Sequence, residues 1–403
     1  MPSNQDRMEH VEFLVVGCGP AGGIAAREAA RAGVGTVVLE KDSVIGAKRV
    51  CAAGLRPGFC ATFDLPREIV HCDTPRLALF DPAGKEYELT IVPGHTTTRE
   101  ELDGTIGKLA SAEGADVRTS AMFREMRREG DGVVIEYADA RAGERKTIAA
   151  RNVFFAQGST AKLEETEFAY PQWQSGLVTT LQYRVYLDRP ADAVAYRSLE
   201  MHYFATRDGR MTVAWMFPKR DHLAIGLGVM GKMPGAQLRA ELDLFTERVR
   251  ARLYPAAAFT TKLEGHLLYG GAPRPGIAIP GAMVGGTAAG LVDATNGEGI
   301  YEAAMSGRMA AEAVSAARAQ PARAYERYGA ALKKRFYGRL RHRAELMRFL
   351  ERKPARYTKL FEQLARSPRF VDVLQREDRD RSLGDRAFLY GQALRFAART
   401  VHG

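Results

Sequence analysis

Cysteine is scarce in this chain and falls at no useful spacing. The four cysteines, Cys18, Cys51, Cys60 and Cys72, form no Cys-x-x-Cys pair, which argues against both a zinc site and a disulfide framework. His71, His95 and His266 likewise lack metal-ligand spacing, so no metal is expected. No stretch reaches the roughly 18 consecutive apolar residues of a membrane span, and Met1 to Val11 has no apolar core of the signal-peptide kind. The expectation is a cytoplasmic protein with reduced thiols. Internal repeats and low-complexity linkers are also missing, which sets aside solenoids and disordered tethers.

What the chain does have is length and a local concentration of charge. Its 403 residues are 46% apolar and 26% charged, with 40 glycines. That is enough for two or three domains and a core able to enclose a large cofactor. The formal charge is +10, yet residues 333 to 359 alone hold eleven Lys or Arg against Glu345 and Glu351. Phe336, Leu340, Ala344, Met347 and Leu350 recur there at helical spacing. A basic amphipathic helix of this kind can lie on an anionic bilayer, making residues 333–359 a candidate peripheral membrane contact. It can equally pack on the protein body with its basic face in water. No nucleic-acid module accompanies the charge, so nucleic acid is not an expected partner.

The N-terminal pattern is the most specific. Val11 to Gly17 reads as a buried strand, Pro20 to Ala32 as an alanine-rich helix stopped at Gly33, and Thr36 to Glu40 as the next strand. Between them stands Gly17-x-Gly19-x-x-Gly22, with Pro20 and Ala21 inside the motif and Glu40 and Lys41 closing the second strand. The glycines serve a tight turn, backbone approach to a pyrophosphate, and close helix packing, while the acid accepts ribose hydroxyls. The helix N-terminus adds free N–H groups and a positive dipole end. These residues predict a dinucleotide site.

Further along, short alternating runs between Cys72 and Val92 and again between Val178 and Met230 read as strands of a second, substrate-covering sheet. Arg99 to Leu109 reads as a helix, Val133–Tyr137 and Val153–Gly158 as further strands of the first domain, and the chain beyond about Arg323 as helices. The expected fold class is α/β, with a Rossmann-like FAD-binding domain, a mixed β-sheet substrate domain and a C-terminal helical region. The expected boundaries are 1–72 with 96–160 and 276–320 for the cofactor domain, 73–95 with 161–275 for the substrate sheet, and 321–403 for the basic helical region.

The choice of FAD rests on resemblance. Gly286-Thr287-Ala288-Ala289-Gly290 and Gly297-Glu298-Gly299-Ile300 stand before an alanine-rich stretch. They resemble the segments that hold the ribityl chain and the isoalloxazine in the FAD-dependent family of aromatic hydroxylases, halogenases and geranylgeranyl reductases. The family architecture is that of p-hydroxybenzoate hydroxylase. Thr287 stands where the family has an aspartate, and its hydroxyl can serve the ribityl chain. Gln157, in Ala156-Gln157-Gly158, also replaces an aspartate, and Arg99 matches the family arginine that reaches the cofactor.

Two more segments resemble geranylgeranyl reductases in particular. One is Val213-Ala214-Trp215-Met216-Phe217-Pro218-Lys219 followed by Ile225-Gly226-Leu227-Gly228; the other is Arg49-Val50-Cys51-Ala52-Ala53-Gly54-Leu55, with alanines for two family glycines. The resemblance implies cofactor contacts at Arg49, Gly158, Thr287, Gly290, Gly297, Gly299 and Ile300. It implies Cys51 as a thiol beside the flavin and Trp215 and Phe217 as walls for a hydrophobic prenyl substrate. The implied activity is saturation of isoprenoid C=C bonds by hydride from reduced flavin and a proton from a nearby acid. The donor would be NADPH or ferredoxin, since no second glycine motif is present. An FAD monooxygenase or halogenase, and a scaffold that no longer holds FAD, are the alternatives.

Overall fold

A computed structural model describes residues 8–47, 50–130, 132–161, 163, 166–256, 259–376 and 380–401. β1 (Glu9–Val16) is buried over its second half and turns at Gly17 into α1 (Pro20–Arg31); β2 (Thr36–Glu40), buried throughout, returns parallel to it with Val38 opposite Val15. β3 (Gly54–Leu55) and the single turn α2 (Phe59–Thr62) lead into the hairpin of β4 (Cys72–Phe80) and β5 (Glu86–Thr96). Thr98 then caps α3 (Arg99–Ala112), its side chain accepting from the Glu101 amide. β6 (Asp116–Thr119) lies beside β2, and β7 (Ala121–Glu129), β8 (Gly132–Asp139) and β9 (Glu144–Phe155) form an antiparallel meander whose last strand runs parallel to β1.

β10 (Leu177–Leu187), α4 (Pro190–Ala195), β11 (Ser198–Ala205), β12 (Met211–Pro218), β13 (Leu223–Met230), α5 (Gly235–Leu253) and β14 (Phe259–Tyr269) build the second sheet and its cover. The hairpin β15 (Ala278–Ile279) and β16 (Ala282–Val284) rejoins the first sheet, followed by α6 (Ile300–Ala316) and α7 (Ala324–Leu332). A π-helical turn, Lys333–Tyr337, runs into α8 (Gly338–Glu351), after which come α9 (Ala355–Ala365), α10 (Pro368–Gln375) and α11 (Leu383–Val401).

The first sheet has the order β15-β16-β9-β1-β2-β6. Its central strands are parallel, and β9 pairs with β8 through its first half and with β16 through its last three residues. The second has the order β14-β10-β13-β12-β11-β4-β5-β3 and is antiparallel except where β11 meets β4. α1, α3 and α6 cluster on the first sheet around Phe13, Val15, Ile24, Ile106 and Phe154. On the second, α5 covers one face through Leu238, Leu242, Phe245 and Val249. The other face receives α8 to α10 through Met347, Leu350, Tyr357, Phe361 and Val371.

That packing corrects one expectation. Phe336, Leu340, Ala344, Met347 and Leu350, the face expected to meet a bilayer within residues 333–359, are all buried inside the protein. An amphipathic stripe needs an apolar partner, and here the protein interior supplies it: Phe336 and Leu340 join the core on the first sheet, while Met347 and Leu350 pack on the second, where Tyr203 meets Tyr357 at 5.1 Å between ring centroids.

Candidate functional site

The glycine motif forms a cradle at the end of β1. Gly17 has φ of 98°, and a Cβ on Gly22 would lie 1.8 Å from the Gly17 carbonyl oxygen, so neither position accepts a larger residue. Gly19 is the N-cap of α1 and Pro20 its first residue, with no side chain closing the helix end. The first amides of α1 are therefore left for a ligand. Glu40, 2% exposed, accepts from the amides of Cys18 at 2.8 Å and Asp42 at 3.0 Å, which fixes the carboxylate beside the turn. Lys41 reaches the surface and pairs with Asp42 at 2.8 Å.

The buried Gln157 Oε1 has no hydrogen-bond partner among the described residues, and the Gln157 Cα lies 3.4 Å from the Cβ position of Gly17. Thr287, half-buried on a 3₁₀ turn between Gly286 and Gly290, has no side-chain partner among the described residues. Gly158, with φ of 78°, follows Gln157 directly. A buried orphan acceptor, open helix amides and a space that any Cβ would fill together fit the pyrophosphate and sugar of FAD.

Arg99 joins this cradle to a second region. Its guanidinium pairs with Asp103 at 2.6 Å, would lie 3.2 Å from a Cβ on Gly19, and faces the Cys51 thiol. Arg49 lies outside the described residues.

Beyond Arg99 opens a cavity of 440 Å³ between the second sheet and α8 to α10. Cys51, Trp215, Phe217, Gly297, Gly299 and Ile300, singled out from separate parts of the sequence, all line it. Its floor includes Leu77, Leu79, Leu89, Ile91 and Met201, and its ceiling Met347, Leu350, Leu360, Phe361, Leu364 and Leu374. The exposed Val92, Gln375 and Arg376 lie at its outer end. The size is within the about 300–1,000 Å³ usual for ligand pockets, and the walls suit a flexible apolar chain.

The two aromatic walls are held in place. Trp215 Nε1 donates to Gln182 Oε1 at 3.0 Å, and the indole lies over Gly226 on the neighbouring strand, where a Cβ would fall 2.3 Å from the ring. Phe217 rests on Gly54, leaving 2.9 Å to a Cβ there. The glycine of the Ile225-Gly226-Leu227-Gly228 stretch thus makes room for a side chain two strand residues upstream of Phe217.

Charge gathers at the inner end. Arg56 pairs with Glu298 and, at 2.5 Å, with Glu302; Arg339 meets Glu302 at 2.6 Å, and Arg343 meets Asp293 at 3.4 Å. This network ties the Cys51 loop, the Gly297–Gly299 turn and α8 together. Sequence reading missed Arg56, Arg339 and Arg343, and it missed Gln182 and Lys219 as supports. Lys219 is 1% exposed and donates to the carbonyls of Ala52 and of Thr97, the latter at 2.7 Å. It has no carboxylate at ion-pair distance among the described residues, and burial pulls its ammonium down to about 7, against the pull of the nearby Cys51. Its place in the Phe217-Pro218-Lys219 run was the available signal.

No protein-family model matches the chain. A geranylgeranyl diphosphate reductase of Synechocystis is 30% identical over 323 residues, spanning 76% of this chain and 75% of the relative. A digeranylgeranylglycerophospholipid reductase of Methanopyrus kandleri is 29% identical over 75% of this chain and 79% of its own length. Among solved structures, a geranylgeranyl bacteriochlorophyll reductase-like protein of Thermoplasma acidophilum superposes with a TM-score of 0.71 at 24% identity, covering 94% of this chain and 95% of that one.

Proposed function

The chain belongs to the geranylgeranyl reductase family of FAD-dependent oxidoreductases, and on that premise we propose that it saturates isoprenoid C=C bonds of a prenyl chain lying in the 440 Å³ cavity. The observation that carries this reading is the meeting of Cys51, Trp215, Phe217 and the Gly297–Ile300 turn on one apolar cavity. Gly17, Gly19, Gly22, Glu40, Arg99, Gln157 and Thr287 are the residues that would hold the cofactor. Bound and reduced there, FAD supplies hydride to one carbon of the double bond.

The other carbon needs a proton, and Cys51 Sγ is the donor we assign, at the inner end of the cavity. Trp215 and Phe217 hold the alkene flat, since an unfunctionalised chain offers only surface to grip. The aliphatic floor and ceiling keep water from the reacting carbons. The substrate is a prenyl diphosphate, lipid, pigment or quinone, and the donor is NADPH or a ferredoxin-like protein. Anaerobic reduction with each donor separates the two.

Peripheral contact with an anionic bilayer moves, in this reading, from residues 333–359 to α11. There Leu383, Tyr390 and Leu394 are 84%, 68% and 54% exposed along one helix face, with Arg386 flanking them. Cavity-lining Arg376 bonds Asp385 near the start of this helix. Co-sedimentation with phosphatidylglycerol vesicles, lost on Leu383→Ser with Leu394→Ser, is the check.

The reaction itself is tested by incubating the photoreduced protein anaerobically with geranylgeranyl diphosphate and geranylgeranyl ether lipids. Mass spectrometry should show a gain of two hydrogens per bond. No gain on any prenyl compound, or a stable peroxide-type absorbance on mixing with oxygen, would favour a monooxygenase instead.

A further inference from the structure

The loop carrying Cys51 has a backbone that its sequence disfavours. Ala53 has φ of 47°, the left-handed region that residues with a Cβ rarely adopt, and it occupies this region beside the thiol, its amide donating to Cys51 Sγ at 3.3 Å. Something must hold it there. Two contacts do: the Ala53 carbonyl accepts from the Thr97 amide at 3.0 Å, and the Ala52 carbonyl accepts from Lys219 Nζ. Lys219 also bonds the Thr97 carbonyl, so one ammonium grips both the loop and the segment that braces it.

A lysine is a costly choice for such a strap. Two carbonyls can be bridged by a neutral donor, whereas a buried ammonium without a carboxylate is held against a desolvation penalty. The useful difference is its charge, placed next to a thiol. Resting on the reading that Cys51 belongs to the reaction site, we infer that Lys219 is a positioning residue that straps the Cys51 loop into its left-handed turn and supplies the positive charge that stabilises the thiolate left after proton donation.

The groups facing Lys219 support this assignment. Cys51 lies on the loop and Cys72 at the start of β4, and Arg184 and Glu100 approach from β10 and α3. Arg184 is already paired with Glu100 and Glu264, and His71 and His222, which feel the Lys219 charge, are engaged by Glu101 and Asp221. Arg99 also faces Cys51 but is bound to Asp103. That leaves Lys219 as the buried cation among these groups without a carboxylate partner.

Two substitutions separate the strap from the charge. Lys219→Gln keeps an NH₂ group for both carbonyls and removes the charge, whereas Lys219→Met removes both. Cys51 is the half-exposed cysteine and the other three are buried, so iodoacetamide labelling of the FAD-loaded protein, read on the Cys51 peptide by mass spectrometry, reports on it directly. Alkylation follows the thiolate population, and roughly tenfold slower labelling at pH 7 is expected in both variants. The expected divergence is in turnover. Lys219→Gln should keep the wild-type KM with a lowered kcat and a loss of the pH limb near neutrality, and Lys219→Met should lower kcat further. Adding Ala53→Gly to Lys219→Met, which removes the strained Cβ, should recover the part due to the strap. Unchanged Cys51 labelling in Lys219→Gln would overturn the charge assignment, and no recovery with Ala53→Gly would overturn the strap. If the wild type reduces no prenyl compound, the labelling result still stands or falls alone, so failure of the functional reading is told apart from failure of this one.

Discussion

Replacing Lys219 by methionine should remove a dependence of stability on pH that the wild type has. The group ionises near 10.5 when exposed and is pulled down to about 7 by burial in the fold. Below about pH 7 it is protonated in both the folded and the unfolded chain, and folding then bears the full cost of burying the cation, about 5 kcal/mol for this shift. Between the two values the unfolded chain carries the proton and the folded one does not. Wild-type stability therefore rises with pH across that window, by about 1.4 kcal/mol per unit, and the methionine variant lacks this rise. Methionine also leaves the Ala52 and Thr97 carbonyls without their donor, at about 1–3 kcal/mol each, a loss independent of pH. The variant should thus be close to the wild type near pH 7 and clearly less stable near pH 9.5. The difference between the proteins should change by about 3 kcal/mol, or about 4 °C in Tm for a chain of this length. Matched thermal scans of the FAD-loaded proteins at the two pH values measure it. A gap that does not change with pH would refute the argument, because it would mean that Lys219 keeps its proton throughout.

Three further outcomes follow from the site. Gly22→Ala sets a Cβ against the Gly17 carbonyl at 1.8 Å, with backbone on both sides, so the purified protein should be colourless and take up no FAD on titration; yellow protein would count against the cradle. Cys51→Ser should retain the flavin spectrum and lose about 100-fold in kcat, the scale of a removed general acid; an unchanged kcat removes the thiol from the reaction. Gly226→Ala displaces the Trp215 indole from its 2.3 Å approach and should cost about 1–3 kcal/mol of stability as overpacking. It should also raise KM for the prenyl substrate with FAD retained, and an unaltered KM would show that the ring does not touch substrate.

The parts of this molecule that read clearly were those with a short-range physical signature. The strand, glycine turn, helix and strand of residues 11–40 are visible because a buried parallel strand is continuously apolar and the glycines have a steric reason. Thr36–Glu40 is a strand at those same residues. β7 and β14 were not read, because Ala121–Glu129 and Phe259–Tyr269 are largely exposed and rich in charged and polar residues, so alternation is weak. In the basic segment the periodicity of Phe336 to Leu350 showed that one face is buried but carried nothing about the partner, and the protein interior and a bilayer are equally apolar. Lys219 was harder still, since a lysine in a sequence reads as surface. Only the three-dimensional meeting of the Cys51 loop with the end of β12 makes it internal. The cavity residues were individually suggested by resemblance, but that they share one space depends on β3, β12 and the 297–300 turn converging, which no local pattern encodes.

The division of the cavity between a sheet floor and a helical ceiling has an evolutionary consequence. Cys51, the aromatic walls and the cofactor turn belong to the floor and inner end, whereas the ceiling comes from residues 346–376, three short helices joined in sequence and connected to the rest of the site by Arg339 and Arg343. A change of helix length or side-chain bulk there alters how long a chain fits while leaving the reacting end untouched. On the proposed reading of the cavity, substrate range and chemistry can drift independently, with the basic helices as a ruler that selection can lengthen or shorten one turn at a time.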